Sequence, residues 1–375
     1  MSGSHPLTRR QWLGMALAGS GLAGAAVAAE PDAPALAPRT LVFPRDHGSH
    51  PELRTEWWYL TGQAHAGGRL WGFQITFFRS RVDATQSLRS AFAARQLLFA
   101  HAALTDVQGQ RLLHDQRIAR AGLGLAEAAL QDTRVHLHGW SLVRETTTQP
   151  GASRYRITAQ AAGFGLQLTC ASTQPVLLQG DAGLSRKGPQ AAQASFYYSQ
   201  PQLVVTGHIT AGGQRMALEP GARNRAWLDH EWSEALMHPD AVGWDWIGMN
   251  LDDGSALTAF QLRRADGSAL WAGGSWRRAG QRQPEVFAHD AVRFTPQAWA
   301  RAATSAERYP ARWRVQTPAG SFGVQALVQD QEVDSRASTG ALYWEGLSDL
   351  LDAQGHPVGR GYLEMTGYAN TLRLS

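Results

Sequence analysis

The chain has 375 residues, 43% of them hydrophobic and 18% charged, which is enough to bury a sizeable core and excludes a wholly disordered chain. A mean hydropathy of −0.30 with no long Leu/Ile/Val run excludes a multi-spanning membrane protein. One cysteine, Cys170, excludes an internal disulfide framework and a thiolate zinc cage. Of 35 basic residues only Lys187 is a lysine, so 34 are arginines, and none of them cluster along a predicted element. The formal charge of +4 therefore gives no nucleic-acid surface.

The N-terminus reads as an address. Thr8-Arg9-Arg10-Gln11-Trp12-Leu13 precedes an Ala/Gly-rich apolar stretch, Leu13–Ala29, that ends in the small residues Ala26-Val27-Ala28-Ala29. A charged start, an apolar middle and a small-residue exit describe a signal peptide over 1–29, and the paired arginines resemble a twin-arginine export signal. The expected location is periplasmic or secreted, with no stable membrane anchor after cleavage. A Pro/Ala linker is expected over 30–45.

Beyond it the chain reads as β-strands. Glu56–Gln63 and Leu70–Arg79 flank Ala66-Gly67-Gly68. Arg134–Arg144, Tyr155–Ala161 and Phe164–Ser172 follow, and then Leu203–Ile209 and Arg215–Leu218 around Ala211-Gly212-Gly213. Trp246–Leu251 and Ala256–Arg263 flank Asp252-Asp253-Gly254, and Ala269–Trp276 follows Asp266-Gly267. Short strands joined by DG and GG turns predict antiparallel meanders. Helical periodicity is weak, and shows only near Leu123–Leu130 and Pro296–Ala303. The expected fold class is all-β.

One pattern repeats. An ungapped offset that carries Trp57 to Trp244, 187 residues on, also carries Gly67 to Gly254, Leu70 to Leu257, Phe73 to Phe260 and Gln74 to Gln261. This predicts two antiparallel β-barrel domains in tandem, 46–225 and 226–375. Each is the size of a small closed barrel that can enclose one ligand.

The unusual residues gather in three segments. They are Arg54-Thr55-Glu56-Trp57-Trp58-Tyr59, Trp227-Leu228-Asp229-His230-Glu231-Trp232 and Gly243-Trp244-Asp245-Trp246. Each mixes ionisable groups with large aromatics. The plain alternative is a barrel core with acids alternating outward. Strand alternation puts Trp244 and Trp246 on one face and Asp245 on the other. It groups His230 with Trp232, and Asp229 with Glu231. His230-Glu231-Trp232-Ser233-Glu234 narrowly misses the zinc motif H-E-x-x-H, and the pairs His47/His50 and His136/His138 lack a visible third ligand, so no metal is expected. Neither a nucleophile elbow nor a phosphate-binding Gly loop is present. The loop Gly183–Gly188, which holds Lys187, reads as a turn, with an anion site as the alternative.

These segments resemble the AttH family, the carotenoid 1,2-hydratase-like or lipocalin-like secreted proteins. The resemblance rests on Glu56-Trp57-Trp58-Tyr59 with Thr61-Gly62, His101-Ala102-Ala103-Leu104-Thr105-Asp106, Gly180 to Gly188, Ser195-Phe196-Tyr197-Tyr198-Ser199, Trp227 to Ser233 and Gly243-Trp244-Asp245-Trp246. It spans roughly 40–370. It implies two lipocalin-like barrels and an apolar isoprenoid or lipid ligand, and it suggests an association with ABC-type transport. The family's hydratases use a histidine and a tryptophan two positions apart, which His230 and Trp232 match. They also use a tyrosine and an aspartate. Asp245 and then Asp229 are the candidates for the acid, but no tyrosine lies two residues before either one.

The chemistry such residues offer is cofactor-free hydration. A carboxylic acid kept protonated by an apolar pocket donates to a double bond, indole faces stabilise the carbocation, and a histidine handles the water. The expected catalytic residues are Asp245, His230, Asp229 and Glu231. The expected ligand-binding residues are Trp232, Trp244, Trp246, Glu56, Trp57, Trp58 and Tyr59. A non-catalytic lipid carrier and a transporter accessory are the alternatives.

Overall fold

The computed structural model describes residues 34–371 except 222 and 236. The expected signal peptide, 1–29, lies outside the described residues. Two antiparallel sheets make up the structure, and among the described residues the only helical turns are short 3-10 ones, such as Arg45–His47. The stretches of weak helical periodicity, near Leu123–Leu130 and Pro296–Ala303, are turn and strand.

With strands numbered along the chain, the first sheet runs β4 (Arg111–Arg120), β3 (Gln96–Asp106), β2 (Arg69–Arg81), β1 (Thr55–Ala66), β14 (Arg225–Ala235), β12 (Ala194–Ala211), β9 (Phe164–Ala171), β8 (Ser153–Gln160), β7 (Trp140–Thr146), β6 (Arg134–Leu137) and β5 (Ala126–Ala128). The short β10 (Leu177–Leu178), β11 (Leu184–Arg186) and β13 (Gln214–Ala217) pair along β12. The second sheet runs β18 (Glu285–Phe287), β17 (Ala269–Arg277), β16 (Ala256–Arg263), β15 (Gly243–Leu251), β24 (Pro357–Thr366), β23 (Ala341–Leu351), β21 (Gly320–Ala326), β20 (Arg308–Thr317) and β19 (Arg293–Arg301), with β22 (Glu332–Ser335) on β23.

The two paths follow one plan. In each sheet the first strand pairs with its successor on one side and with the last strand on the other. The first sheet closes nearly into a barrel. Arg117 of β4 reaches across the gap to the carbonyls of His138 and Gln160 and covers the Trp140 ring at 4.5 Å. The second sheet is open, where a closed barrel was expected. Its edges are the three-residue β18 and β19, and β19 carries Pro296 and two register irregularities that blunt further pairing.

The sheets change over between Ala235 and Gly243, not at 225/226, because β14 returns to pair with β1 and completes the first sheet. The end of the expected linker is also part of the fold. Leu41 is buried, and Arg39 holds Asp46 through two 2.9 Å hydrogen bonds.

The 187-residue offset matches the first strands of the two hairpins but not the second. Trp57 pairs with Phe78, whereas Trp244 pairs with Leu262, so the second hairpin is slipped by three residues. An odd slip turns side chains to the other face. Accordingly Phe73 sits in the core of the first sheet, and Phe260 lies between the sheets.

Burial follows from this arrangement. β8, with one face in water, alternates cleanly as Ser153 to Gln160. β1 is buried on both faces along most of its length, because one face packs in the first core and the other meets the second sheet. Each sheet has its own apolar core, and a third cluster with Tyr59, Trp227, Trp246, Leu347 and Tyr362 joins them.

Candidate active site

A cavity of about 310 Å³ lies between the two sheets. Alternation aims the groups into it. On β14, Asp229 and Glu231 face the cavity, while Leu228, His230 and Trp232 face the first core. β12 pairs with β14 so that Ser199 stands opposite Asp229 and Tyr197 opposite Glu231. β1 contributes Trp57 and Tyr59, and β15 contributes Trp244 and Trp246 from the second sheet.

Asp229 is 3% exposed and accepts three hydrogen bonds. Tyr197 OH donates to Oδ2 at 2.7 Å, Ser199 Oγ to Oδ1 at 2.5 Å and Trp227 Nε1 to Oδ1 at 2.6 Å. Burial outweighs these donors and pushes its carboxyl up to about 7. Trp246 Nε1 in turn donates to the Tyr197 oxygen at 3.3 Å. Two residues on, Glu231 pairs with Lys187 Nζ at 3.0 Å and accepts from Ser195 Oγ at 2.5 Å. The Lys187 ammonium also lies 4.3 Å from the Phe260 ring centre.

The second wall holds two more acids. Glu345 on β23 stands directly opposite Glu364 on β24. Burial and the neighbouring Glu364 charge raise Glu345 well above the carboxylate range, and burial pushes Glu364 up to about 8. Tyr343 OH lies 2.9 Å from His101 Nδ1, and His101 Nε2 lies 2.8 Å from Ser338 Oγ. Burial keeps His101 neutral, with its pKa near 3.

The expected site residues therefore divide into three groups. Asp229, Glu231, Trp57, Tyr59, Trp244 and Trp246 meet at the cavity. His230, Trp232 and Trp58 lie inside the first barrel with the Glu56 carboxylate, although Glu56 borders the cavity. Asp245 points into the second sheet, bound by Arg263 at 2.8 Å, Gln261 at 2.8 Å and Tyr368 OH at 2.9 Å. The structure does not bring Asp245 and His230 together. Alternation along β14 and β15 sends them into different cores.

The interior group forms a closed network. Glu56 accepts from His230 Nε2 at 2.9 Å, His50 Nδ1 at 2.8 Å, Arg79 Nε at 2.8 Å and Ser49 Oγ at 2.7 Å. His50 lies between Glu56 and Asp46, whose Oδ1 is 3.0 Å from its Nε2. Against burial, these carboxylates raise the His50 pKa, so both its nitrogens donate. Burial pushes His230 down to about 4. As a neutral ring it donates from Nε2 to Glu56 and accepts at Nδ1 from Tyr198, 3.2 Å away. His50, Glu56 and His230 have ligand atoms within 4.8 Å of one another, the spacing of a metal site. The Arg79 guanidinium on the same carboxylate, and the charge on His50, suit a hydrogen-bonded ion cluster and oppose a further cation.

Tyr197, Lys187, His101, Tyr343, Glu345 and Glu364 had no assigned role in the sequence. One signal was available. An acid follows an aromatic residue by two in Trp227/Asp229, Tyr343/Glu345 and Tyr362/Glu364, each within an apolar strand. The tyrosine that serves Asp229 lies 32 positions earlier on the neighbouring strand, so no search within two residues could find it.

Two antiparallel sheets of one strand plan, enclosing an aromatic cavity set with buried acids, define a tandem lipocalin-like β protein. The chain belongs to the AttH-like family, whose model matches residues 34–368. An AttH-type protein of Nitrosomonas europaea is 44% identical, with a TM-score of 0.81 over 90% of this chain and 99% of its own. Kievitone hydratase from Nectria haematococca shares the fold at 14% identity, with a TM-score of 0.63 over 88% of this chain and 94% of its own. CghA, solved with Sch210972, does so at 12% identity, with a TM-score of 0.54 over 86% of this chain and 89% of its own. No curated protein sequence matches the chain.

Proposed function

We propose that this protein is an exported, periplasmic acid–base catalyst that adds water to a double bond of a compact, largely apolar ligand of isoprenoid or lipid type. The observation that supports this reading is the Asp229–Tyr197 pair. It joins a buried carboxyl with a pKa of about 7 to a hydroxyl 2.7 Å away in the cavity wall. A cavity of about 310 Å³ lies at the lower end of the ~300–1,000 Å³ usual for small ligands. It suits a compact ligand or one end of a longer one.

In this reading the Tyr197 hydroxyl turns from Asp229 to the ligand, gives its proton to one alkene carbon and takes the proton of the Asp229 carboxyl in exchange. The other carbon becomes a tertiary cation facing the Trp57, Trp244 and Trp246 indoles, which stabilise it by ~2 kcal/mol or more when dry. A water oxygen bonds to that carbon, and its spare proton passes to Glu231 and back to Asp229. Alkene and water give an alcohol, and the acid is restored. His230, Trp232 and Glu56 hold β14 and β1 in register behind the wall. A hydratase among proteins of the same fold agrees with this reading.

A second reading, a lipid carrier that serves an ABC-type transport system, is favoured by the aromatic lining alone. One experiment separates the two. Ligand extracted from protein matured through its own export route is returned to stripped protein in oxygen-18 water and followed by mass spectrometry. Gain of one labelled water that depends on Asp229 and Tyr197 is the hydratase outcome. Release of the ligand unchanged is the carrier outcome.

A further inference from the structure

The cavity wall holds more acids than cations. Arg79 is committed to Glu56 at 2.8 Å and Lys187 to Glu231 at 3.0 Å. Asp229, Glu345 and Glu364 have no cationic partner among the described residues, and buried His101 is neutral. One buried acceptor of the second wall is also unsatisfied: Glu345 Oε1 completes no hydrogen bond among the described residues, although Tyr59 OH from β1 and Tyr343 OH face its carboxyl. Buried polar atoms left this way usually await a partner.

We propose that the Glu345–Glu364 pair, faced by Tyr59 across the cavity, is a binding site for the cationic amine of a ligand whose remaining body is apolar. The proposal rests on the reading that this cavity takes a ligand. It does not depend on whether that ligand is hydrated.

Three features fit an ammonium. Glu345 and Glu364 oppose each other across β23 and β24, so one cation between them meets two carboxyls. Trp244, Trp246 and Tyr343 supply π-faces around the same space, the setting in which proteins hold organic cations. The chain's own lysine is already occupied, because Lys187 is paired with Glu231, packs over Tyr197 of the first sheet and meets Phe260 of β16. Seating the ammonium ionises a carboxyl that is otherwise protonated, since Glu364 titrates at about 8. The ligand therefore arrives as R–NH₃⁺, one carboxyl loses its proton to solvent, and an ion pair remains. The other titratable groups facing the pair are Asp229, Glu231, Tyr59, Tyr343 and His101. Burial above all, with the Asp229 and Glu231 carboxyls adding to it, holds Glu364 up.

The test is calorimetry on the intact protein with benzylamine and its neutral counterpart, benzyl alcohol, in buffers of different ionisation enthalpy at pH 6, 7 and 8. Benzylamine is expected to bind with release of nearly one proton at pH 6 and 7 and about half at pH 8, its Kd falling by about tenfold from pH 6 to 7 and less beyond. Benzyl alcohol is expected to bind more weakly, with no pH dependence. Glu345→Gln and Glu364→Gln should each weaken benzylamine binding, and the double variant should abolish the proton release. Equal binding of both probes, or benzylamine binding without proton release, overturns the proposal while leaving the cavity as a ligand site. Binding of neither probe overturns both. The wild-type comparison decides the matter even where a variant fails to fold.

Discussion

Replacing Glu56 by glutamine tests whether the interior network is structural. The side chain keeps its shape but loses its charge. Arg79, buried at 2.8 Å from Glu56, then loses its counter-ion, His50 keeps only Asp46, and one face of the new amide presents donors to the donors of Arg79 and Ser49. Breaking a buried ion pair in this way costs about 3–5 kcal/mol. For the compact unit Ala33–Ser375, an unfolding entropy of ~2.1 cal/mol/K per residue converts this to a fall of about 4–7 °C in Tm. Calorimetry of the variant at pH 7, with circular dichroism to confirm the sheet, measures it. The cavity, which Glu56 only borders, should still take up ligand. An unchanged Tm together with lost ligand binding would refute the reasoning and make Glu56 a ligand-contacting group.

Three further outcomes follow from particular residues. Asp245→Asn should lower stability by weakening its contact with Arg263, and should leave ligand uptake and any turnover near wild type; abolished turnover would return Asp245 to the reaction. Gly361→Ala places a Cβ against the Gly248 carbonyl across β15 and β24, where backbone cannot yield. A loss of ~1–3 kcal/mol is expected on chemical unfolding, and a neutral result would contradict the close approach of these strands. Stability should also fall by about 2–3 kcal/mol between pH 6.5 and 8.5, read as Tm against pH. Asp229 and Glu364 keep protons up to about 7 and 8, which the unfolded chain sheds near 3.8 and 4.5. Their contribution is complete below those lower values and is lost as pH rises through the higher ones. His50, raised by its two carboxylates, loses its contribution in the same direction. His47, His101 and His230 act oppositely, but only below 6.5, where the unfolded chain takes up protons that the buried rings refuse. A Tm that rises across this window would contradict the assignment.

Local pattern predicted the strands well where turn chemistry was explicit. Ala256–Arg263 matches β16 end to end, and the β1–β2 hairpin turns at Gly67-Gly68 as expected. Alternation also sorted β14 correctly, with Asp229 and Glu231 on one face and His230 and Trp232 on the other. What alternation cannot give is which face meets which sheet. Asp245 and His230 both lie among tryptophans, yet each points into its own core. The cavity depends on the approach of two sheets and on pairings such as Tyr197 beside Asp229, which are set by register between strands distant in sequence. Glu345 and Glu364 escaped notice for the same reason. Each is a single acid in an apolar strand, and only their pairing makes them a site. The ungapped repeat pointed to two domains of one plan, but a three-residue slip kept Phe73 and Phe260 from being equivalent.

The central claim is that Asp229 is a carboxylic acid, protonated near neutral pH and facing a ligand cavity. Difference infrared spectroscopy of the wild type against Asp229→Asn, from pH 5 to 9, tests this without a known substrate. The expected result is a protonated-carboxyl band that is absent from the variant, disappears with a midpoint near pH 7, and shifts when ligand enters the cavity. A carboxylate already ionised at pH 5, or a band indifferent to ligand, would contradict it.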